Sequence, residues 1–360
     1  MPQVNLASNT AKKITFITRK WPPAIGGMET YSKRLHDGLQ RDFDVTLLAC
    51  EGQADGSPPR VPKLLGFGLK SFWQLFQTRT PPDVVHIGDM ASWPLALGVK
   101  FKRWPSQIVI SAHGTDVSYP RRGGLKGKLY GAYLHLGHRV FSRGIVIANS
   151  QATADAVRDF GWTRVEIIPL ASDLRGPNIQ PKTTTSLLFA GRILPLKGLS
   201  WFVENVLPNL PNNITLRVAG TIWDDTEAKC LDHPRVTYLG PLEQSKLTAE
   251  YANALAVIIP NIPVENGTFE GFGLVATEAS ACGAVTLAAA SGGLCDAVID
   301  GTTGFLLPPM DVCAWGDKIN QISNWSTLDR QNFVTQSMQA CHAHYSWDRV
   351  VGETVNIYDL

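Results

Sequence analysis

Short apolar runs punctuate the chain at regular intervals. In the first half they are KITFIT (13–18), DVTLLAC (44–50), DVVHIG (83–88), QIVISAHG (107–114), GIVIAN (144–149) and RVEIIP (164–169). They are rich in β-branched residues and most end in Gly, Pro or a polar residue, which reads as buried strands. Helical spacing fits between several of them, at 26–40, 92–104, 127–142 and 150–160. The polar, Pro- and Thr-rich stretch LASDLRGPNIQPKTTT (170–185) reads as a linker. The alternation then restarts with SLLFAG (186–191), ITLRVAG (214–220), RVTYLG (235–240), AVIIP (256–260), AVTLAA (284–289) and TGFLLP (303–308). Helices are expected at 198–207, 243–253, 273–282, 292–299 and 311–322, and the chain from 328 to 360 looks helical. Continuous apolar strands that alternate with helices predict parallel sheets covered on both faces. The fold class is therefore α/β, with two doubly wound halves. Ligands in such sheets bind beyond the carboxyl ends of the strands.

The length of 360 residues fits two domains at roughly 100–200 residues each. Six scattered cysteines, with no C-x-x-C pair and no zinc-type spacing, suit a reducing compartment. The first residues lack the long apolar core of a secretion signal, and no stretch is apolar enough to span a bilayer. A cytoplasmic, non-spanning protein is expected. The net charge of +2 hides an asymmetry: residues 1–175 hold 23 Lys and Arg against 13 Asp and Glu, a balance of +10, and the rest balances at −8. Either the basic half meets an anionic partner, or two solvated surfaces share the charge unevenly.

Four turns could hold a ligand. FEGFGLVATEASACG (269–283) sets Glu270 and Glu278 in an apolar stretch around a glycine-spaced turn. A buried carboxylate is costly unless satisfied, so these two are paired by the fold or wait for a ligand. Gly271 and Gly273 allow close backbone approach, and a helix opening near Gly273 offers unpaired N–H groups to an anion such as phosphate. Glu278 lies on that helix with its side chain leaning back toward the start, where it could accept two hydroxyl hydrogen bonds from a ribose. FAGRILPLKGL (189–199) places Arg192 and Lys197 just past a strand, as a diphosphate would require. AIGGMET (24–30) opens a helix at Gly26 and Gly27 without a G-x-G-x-x-G fingerprint. SAHGTD (111–116) ends a strand with His113 and Asp116, a histidine that is either functional or structural. RRGGLKGKL (121–129) fails the P-loop pattern.

Taken together these residues resemble the retaining GT-B glycosyltransferases of the "group 1" type. The resemblance runs from GGMET to DGTTGFLLP, most of the chain, and rests chiefly on the E-x7-E arrangement of Glu270 and Glu278. It is supported by Gly191–Arg192 with Lys197–Gly198 and by SGGLCDAVIDGTTGFLLP (291–308). It implies two Rossmann-like domains facing a central cleft: an acceptor domain at 1–175, a nucleotide-sugar donor domain at 176–345, and a final helix at 346–360 returning to the first domain. It implies a nucleotide-diphosphate sugar donor, UDP- or GDP-linked, with no cofactor and no metal. Arg192 and Lys197 would neutralise the diphosphate. Gly271, Phe272, Gly273 and Leu274 would bind phosphate or sugar through the backbone. Glu278 would hold the ribose, Glu270 would contact sugar hydroxyls, His113 would lie near the transferred sugar, and Gly26 and Gly27 would pack close to the phosphate. The catalytic set implied is His113, Glu270, Arg192 and Lys197. The chain departs from the family pattern at PLASD, which keeps only Asp173, at GAV (283–285), and at Asp296, where a glutamate is usual. These departures bear on local loop contacts more than on the donor site.

The acceptor is less legible. KLLGFGLKSFWQLFQTR (63–79), KFKRW (100–104) and RRGGLKGKLYGAYLHLGHRVFSR (121–143) mix basic, aromatic and aliphatic residues. Such stretches can lie on anionic lipid, or be ordinary helices with a solvated cationic face. A saccharide or lipid-linked acceptor, peripheral contact with the membrane, and no nucleic-acid partner are the expectations. A nucleotide-sugar epimerase-like enzyme and a catalytically silent nucleotide-sugar-binding subunit are the alternatives. An NAD-type oxidoreductase lacks its fingerprint.

Overall fold

A computed structural model describes residues 12–176 and 184–359; residues 177–183 of the expected linker lie outside it. All twelve apolar runs form strands. The first sheet holds β1 (Lys13–Trp21), β2 (Asp44–Glu51), β3 (Val84–Ile87), β4 (Gln107–Ala112), β5 (Ile145–Ala148) and β6 (Val165–Ile167), in the order β2-β1-β3-β4-β5-β6. The second holds β7 (Ser186–Ala190), β8 (Thr215–Ala219), β9 (Val236–Gly240), β10 (Val257–Ile259), β11 (Thr286–Ala289) and β12 (Phe305–Leu307), in the order β12-β11-β10-β7-β8-β9. Every pairing is parallel. The second order is the Rossmann arrangement, and the first is its flavodoxin-like relative. Strand order reverses beside β1 and β3 in one sheet and beside β7 and β10 in the other. The turns that follow those strands therefore open onto a crevice.

Helices cover both faces of each sheet because the strands are apolar on both sides. On the first sheet, α1 (Gly27–Leu39) packs Tyr31, Leu35 and Leu39 onto Ile14, Phe16 and Val109. The opposite face takes α2 (Val61–Gln77), the segment 90–101 and α3 (Gly124–Val140), through Leu75, Trp93, Val99 and Leu134. Pro94 denies the 90–101 segment a continuous α-helix, so most of it is 3₁₀. The helix α4 (Gln151–Arg158) follows β5 and is capped by Ser150, whose Oγ accepts from the Thr153 N–H at 3.1 Å. In the second domain α5 (Gln244–Asn253), α6 (Leu274–Ala281), α7 (Val312–Ser323) and α8 (Thr327–His344) are regular. The expected helix at 198–207 contains a π turn over Phe202–Val206, and the one at 292–299 shrinks to Leu294–Ala297.

The last helix, α9 (Trp347–Tyr358), crosses back to the first domain. Its Val351 fills the space a side chain at Gly38 of α1 would need, 2.3 Å from such a Cβ. Its carboxyl end is gripped from the first domain: Lys12 Nζ donates to Tyr358 O at 2.9 Å and Gln107 Nε2 to Ile357 O at 3.0 Å. Tyr358 also enters a buried chain in which its hydroxyl meets His86 Nδ1 at 2.5 Å, His86 Nε2 meets Ser111 Oγ at 2.7 Å, and Ser111 Oγ meets Tyr31 OH at 2.8 Å. Among the described residues no helix is long and apolar enough to cross a membrane.

Candidate active site

The two glutamates of FEGFGLVATEASACG meet different fates. Glu270 sits in the turn before α6, and its side chain is 18% exposed. Lys197, 73 residues earlier, donates to its Oε2 and forms an ion pair with it. Asn261, at the end of β10, donates to the same oxygen at 3.1 Å. Burial pushes the Glu270 carboxyl up, but Lys197, the Asn261 amide and the nearby Arg192 together hold it below the usual carboxylate range. Among the described residues Glu278, on α6, has one side-chain partner, the Tyr251 hydroxyl of α5, which donates at 3.3 Å. Burial raises its pKa, and the single hydrogen bond opposes that without reversing it. One carboxylate is thus satisfied by the fold and the other keeps acceptor capacity free.

Gly273 shows why the turn needs glycine. It caps α6 in the left-handed region at φ 94°, and a Cβ there would stand 2.4 Å from Leu294 Cδ2. Phe272 is buried and anchors the turn against the Tyr345 ring, 6.2 Å between centroids. The Gly293 N–H donates to Glu270 O at 2.8 Å, so the SGG stretch supports the turn from beneath. Leu274, the first residue of α6, faces Gly27 of the first domain; a Cβ on Gly27 would lie 3.0 Å from its Cδ1. Gly26 precedes α1 beside Glu29, which Lys20 approaches at 3.4 Å.

His113 reaches the same place from the other domain. It is buried, its Nε2 is 3.0 Å from Gly88 O, and its backbone N–H donates to Asp116 Oδ1 at 2.9 Å. A carbonyl only accepts, so Nε2 carries the proton. Tyr31 packs edge-on against the imidazole at 4.7 Å. The other oxygen of Asp116 accepts from the Met90 N–H at 3.0 Å, which ties the turn after β4 to the loop after β3. Burial raises the Asp116 pKa, with Asp89 adding to it and His113 and the two N–H bonds opposing.

The domains touch where the turn after β4 meets the turn before α6. A Cβ on Gly271 would lie 2.3 Å from the His113 carbonyl oxygen, and one on Gly114 would lie 2.3 Å from Gly271 Cα. Thr153 Oγ1 donates to Gly271 O at 3.3 Å, and the first N–H of α4, from Gln151, donates to Asp296 Oδ2 at 3.0 Å. Asp296 is therefore a carboxylate at a helix N-terminus supplied across the cleft. Arg121 lies over the Phe269 ring at 5.2 Å.

Of the residues expected at the site, Lys197 pairs with Glu270, Gly271 meets His113 across the two domains, and Gly27 faces Leu274, whereas Arg192 points elsewhere. Arg192 is exposed and stacks on Trp223 at 4.7 Å, whereas Lys197 is committed to Glu270. The two cations flank the Glu270 carboxylate and do not point jointly at one spot. Asn261, Gly114, Thr153 and Tyr251 were not singled out from the sequence. Gly114 had a signal, as the residue after His113 at a strand end. A lone Asn after IIP and a Tyr inside a helix gave none. Among the described residues no group of three His, Cys, Asp or Glu side chains is gathered as metal ligands would be.

Comparison with known proteins agrees with this fold. Residues 25–175 match the family described as Glycosyltransferase Family 4, and residues 184–324 match Glycosyl transferases group 1. The chain is 29% identical over 245 residues to a D-inositol 3-phosphate glycosyltransferase of Xylanimonas cellulosilytica, covering 60% of this chain and 57% of that one. It is 33% identical over 188 residues to the same-named protein of Mycolicibacterium smegmatis, covering 49% and 41%. The chain thus spans about half the length of the curated relatives it matches. In fold it is similar to Anabaena HepE crystallised with UDP and glucose, with a TM-score of 0.71 at 18% identity over 97% of this chain and 99% of that one. It is equally similar to sucrose-phosphate synthase from Thermosynechococcus elongatus, with a TM-score of 0.72 at 18% identity over 97% and 98%.

Proposed function

We propose that this chain, which belongs to the group 1 glycosyltransferases and has their GT-B fold, moves a sugar from a nucleotide-diphosphate donor to a hydroxylated acceptor with retention at the anomeric carbon. The observation that carries the reading is the arrangement around Glu270. A cation, an amide and a helix N-terminus converge beneath a glycine turn that faces His113 across the cleft. These groups support a role in receiving a diphosphate and holding it as it departs. UDP is the first nucleotide to try, since Anabaena HepE, which shares the fold, was crystallised with it. A saccharide or lipid-linked hydroxyl is the acceptor class. The basic first domain would make peripheral contact with an anionic membrane.

In this reading Lys197, Arg192 and the N–H groups at Gly273 and Leu274 stabilise the leaving diphosphate. Glu278 accepts from the ribose hydroxyls, and the ready Tyr251 bond fixes its orientation. Glu270 accepts from sugar hydroxyls, and the His113 carbonyl, directed at Gly271, lies beside the anomeric carbon. Glu270 suits a binding role better than a nucleophilic one, because Lys197 and Asn261 stabilise its negative charge and so lower its reactivity. The acceptor oxygen bonds to the anomeric carbon on the face that the diphosphate leaves. The carbon–oxygen bond to phosphate breaks, and the departing phosphate oxygen takes the acceptor proton. A glycosyl adduct trapped on Glu270 and seen by mass spectrometry would overturn this route.

The deciding experiment is thermal stability with UDP-, GDP- and ADP-sugars, with and without EDTA, for the wild type and for Arg192→Ala and Lys197→Ala. A ligand at about 100 times its dissociation constant adds roughly 2.7 kcal/mol, a visible shift. The expected result is a shift with one nucleotide, kept in EDTA and lost in both variants. Loss of the shift in EDTA would contradict metal independence, and an unchanged shift in the variants would remove the two cations from the site.

A further inference from the structure

The outer layer of the first domain takes no part in the cleft, yet it is built unlike a surface that meets only water. Along α2 the residues Val61, Leu65, Leu69, Trp73 and Phe76 are exposed, at 67%, 71%, 63%, 50% and 42%. At about 100° per residue they fall within an arc of roughly 120°. The inward face of the same helix buries Ser71 and Leu75, the latter against Gly98. Phe101 is exposed beside this stripe, with its ring 6.0 Å from Phe72. The second helix of the same layer, α3, repeats the device with exposed Leu125, Leu129 and Leu136, within roughly 40° of arc. Scattered exposed apolar residues are ordinary, but two aligned rows on one side of one domain are not.

The charges around these rows are of one sign. Between residues 56 and 154 there are 13 Lys and Arg and three Asp, namely Asp83, Asp89 and Asp116. Asp89 and Asp116 are buried, which leaves Asp83 as the exposed acid of that whole span. Lys63 and Lys70 lie together beyond one edge of the α2 stripe, roughly 60–80° of arc past Trp73; Lys100 and Lys102 lie next to it, the latter over Phe76 at 5.6 Å. Lys126 and Lys128 sit among the exposed leucines of α3.

We infer that the layer formed by α2, the 90–101 segment and α3 docks on an anionic bilayer leaflet, with the apolar rows inserted at the headgroup boundary and the lysines on lipid phosphates. This deepens the membrane contact proposed above by assigning its surface, and it does not rest on the transfer chemistry. A second copy of this chain would fit poorly, because a two-fold contact would set the same basic patch against itself. The location also has a functional consequence. Arg121, just before α3, lies over Phe269, the neighbour of Glu270, so the docked layer runs to the rim of the cleft. An acceptor hydroxyl carried at the headgroup level would meet the site without leaving the leaflet.

The test is co-sedimentation of the full chain with vesicles of phosphatidylcholine alone and of phosphatidylcholine mixed with phosphatidylglycerol, at low and high salt. The wild type should partition to the mixed vesicles at least roughly tenfold better than to the neutral ones, and high salt should weaken that partition. The triple variant Leu65→Gln, Leu69→Gln, Trp73→Gln removes only exposed groups. It should lose roughly tenfold of the partition while its melting temperature and its nucleotide-sugar shift stay unchanged. The charge variant Lys63→Glu, Lys70→Glu should lose the preference for phosphatidylglycerol. Equal partition to both vesicle types, or a triple variant that binds as the wild type does, would overturn the assignment. Binding to homopolymeric RNA without binding to vesicles would do the same. Because nucleotide-sugar binding is read separately, a failed docking surface and a failed donor site give different results.

Discussion

Gly114→Ala tests whether the seam between the domains matters for turnover. An alanine Cβ there would stand 2.3 Å from Gly271 Cα, a backbone atom of the opposite domain that cannot rotate away. Unbonded carbons rest about 3.5 Å apart, so the two turns must separate by about 1 Å. A displacement of that size between the halves of a reaction centre costs on the order of 10²-fold in rate, or about 2.7 kcal/mol of transition-state stabilisation. Gly114 also has φ 87°, where a side chain adds roughly 1–2 kcal/mol of strain. The melting temperature should therefore fall modestly. Lys197, Glu270 and Glu278 all belong to the second domain, so donor binding should survive. The assay is steady-state transfer with the donor identified by thermal shift, with kcat and donor KM read separately. The expected outcome is a kcat down about a hundredfold with donor KM within about threefold. Gly271→Ala approaches the same contact from the other side, with its Cβ 2.3 Å from His113 O, and should lose kcat to a similar extent. A Gly114→Ala enzyme with wild-type kcat would refute the claim that turnover requires this approach.

Further outcomes follow from individual groups. The raised pKa of Glu278 means that its carboxylate is lost on acidification earlier than an ordinary glutamate, so donor KM should climb as pH falls through that value; Glu278→Gln should raise KM at neutral pH and flatten the climb. Lys197→Met leaves Glu270 without its cation, and about 3 kcal/mol should be lost, seen as a lowered melting temperature; adding Glu270→Gln should restore most of it, since the uncompensated charge is then gone. The depressed pKa of Glu270 also means that its contribution to stability is full above the unfolded carboxylate value and is lost as pH falls through the lower folded one. Burial depresses His86 to about 3, with His113 adding to the effect, so it folds neutral; stability should start to fall once pH drops below the unfolded value of about 6.5, by at most about 1.4 kcal/mol per pH unit. Tyr358→Phe, which takes the hydroxyl from His86 Nδ1, should cost about 1–3 kcal/mol in unfolding experiments.

The central strands were legible because a strand buried on both faces has no choice but to be apolar throughout, and the part-exposed edge strands β2, β6 and β9 were legible as β-branched runs. The order of the strands was not, because alternation of strand and helix is the same whether β3 or another strand lies beside β1. The α2 helix was read only as a stretch that could lie on lipid or be an ordinary helix. Gly66 and Gly68 weaken its propensity, and its exposed row is as apolar as its buried one, so no single face stood out. At the site, Glu270 was legible as a charge in an apolar stretch and Lys197 as a cation just past a strand, but not as partners of one another. Their meeting depends on the switch point between β7 and β10, which the topology decides. Asn261 was invisible for the same reason. It follows a strand as many asparagines do, and only the return of the chain at Glu270 gives its amide something to donate to.

The spacing of the two glutamates then acquires a physical explanation. Eight positions separate them, which places Glu270 in the turn and Glu278 on the fifth residue of α6, with the glycine cap between. A carboxylate in the turn is within reach of the groups that end β7 and β10, and these satisfy it as an anion. A carboxylate one turn into the helix faces α5, where the Tyr251 hydroxyl is its single hydrogen-bond partner among the described residues. Exchanging the two environments would not work. Glu278 beside Lys197 would have no remaining need for a ligand, and Glu270 without Lys197 would put an unpaired charge where the proposed diphosphate would enter. The helix N-terminus between them carries positive potential close to both glutamates, while Lys197 is paired with Glu270 and Arg192, still charged, is held over Trp223. An anionic ligand would therefore be drawn first to the backbone at Gly273 and Leu274. Recruitment of the two side chains would follow, Lys197 by sharing itself with Glu270 and Arg192 by leaving the indole. On this view Trp223→Ala should strengthen or leave unchanged the binding of the nucleotide, as measured by titration calorimetry; a binding loss as large as that of Arg192→Ala would show that the stacked guanidinium is already in its working position.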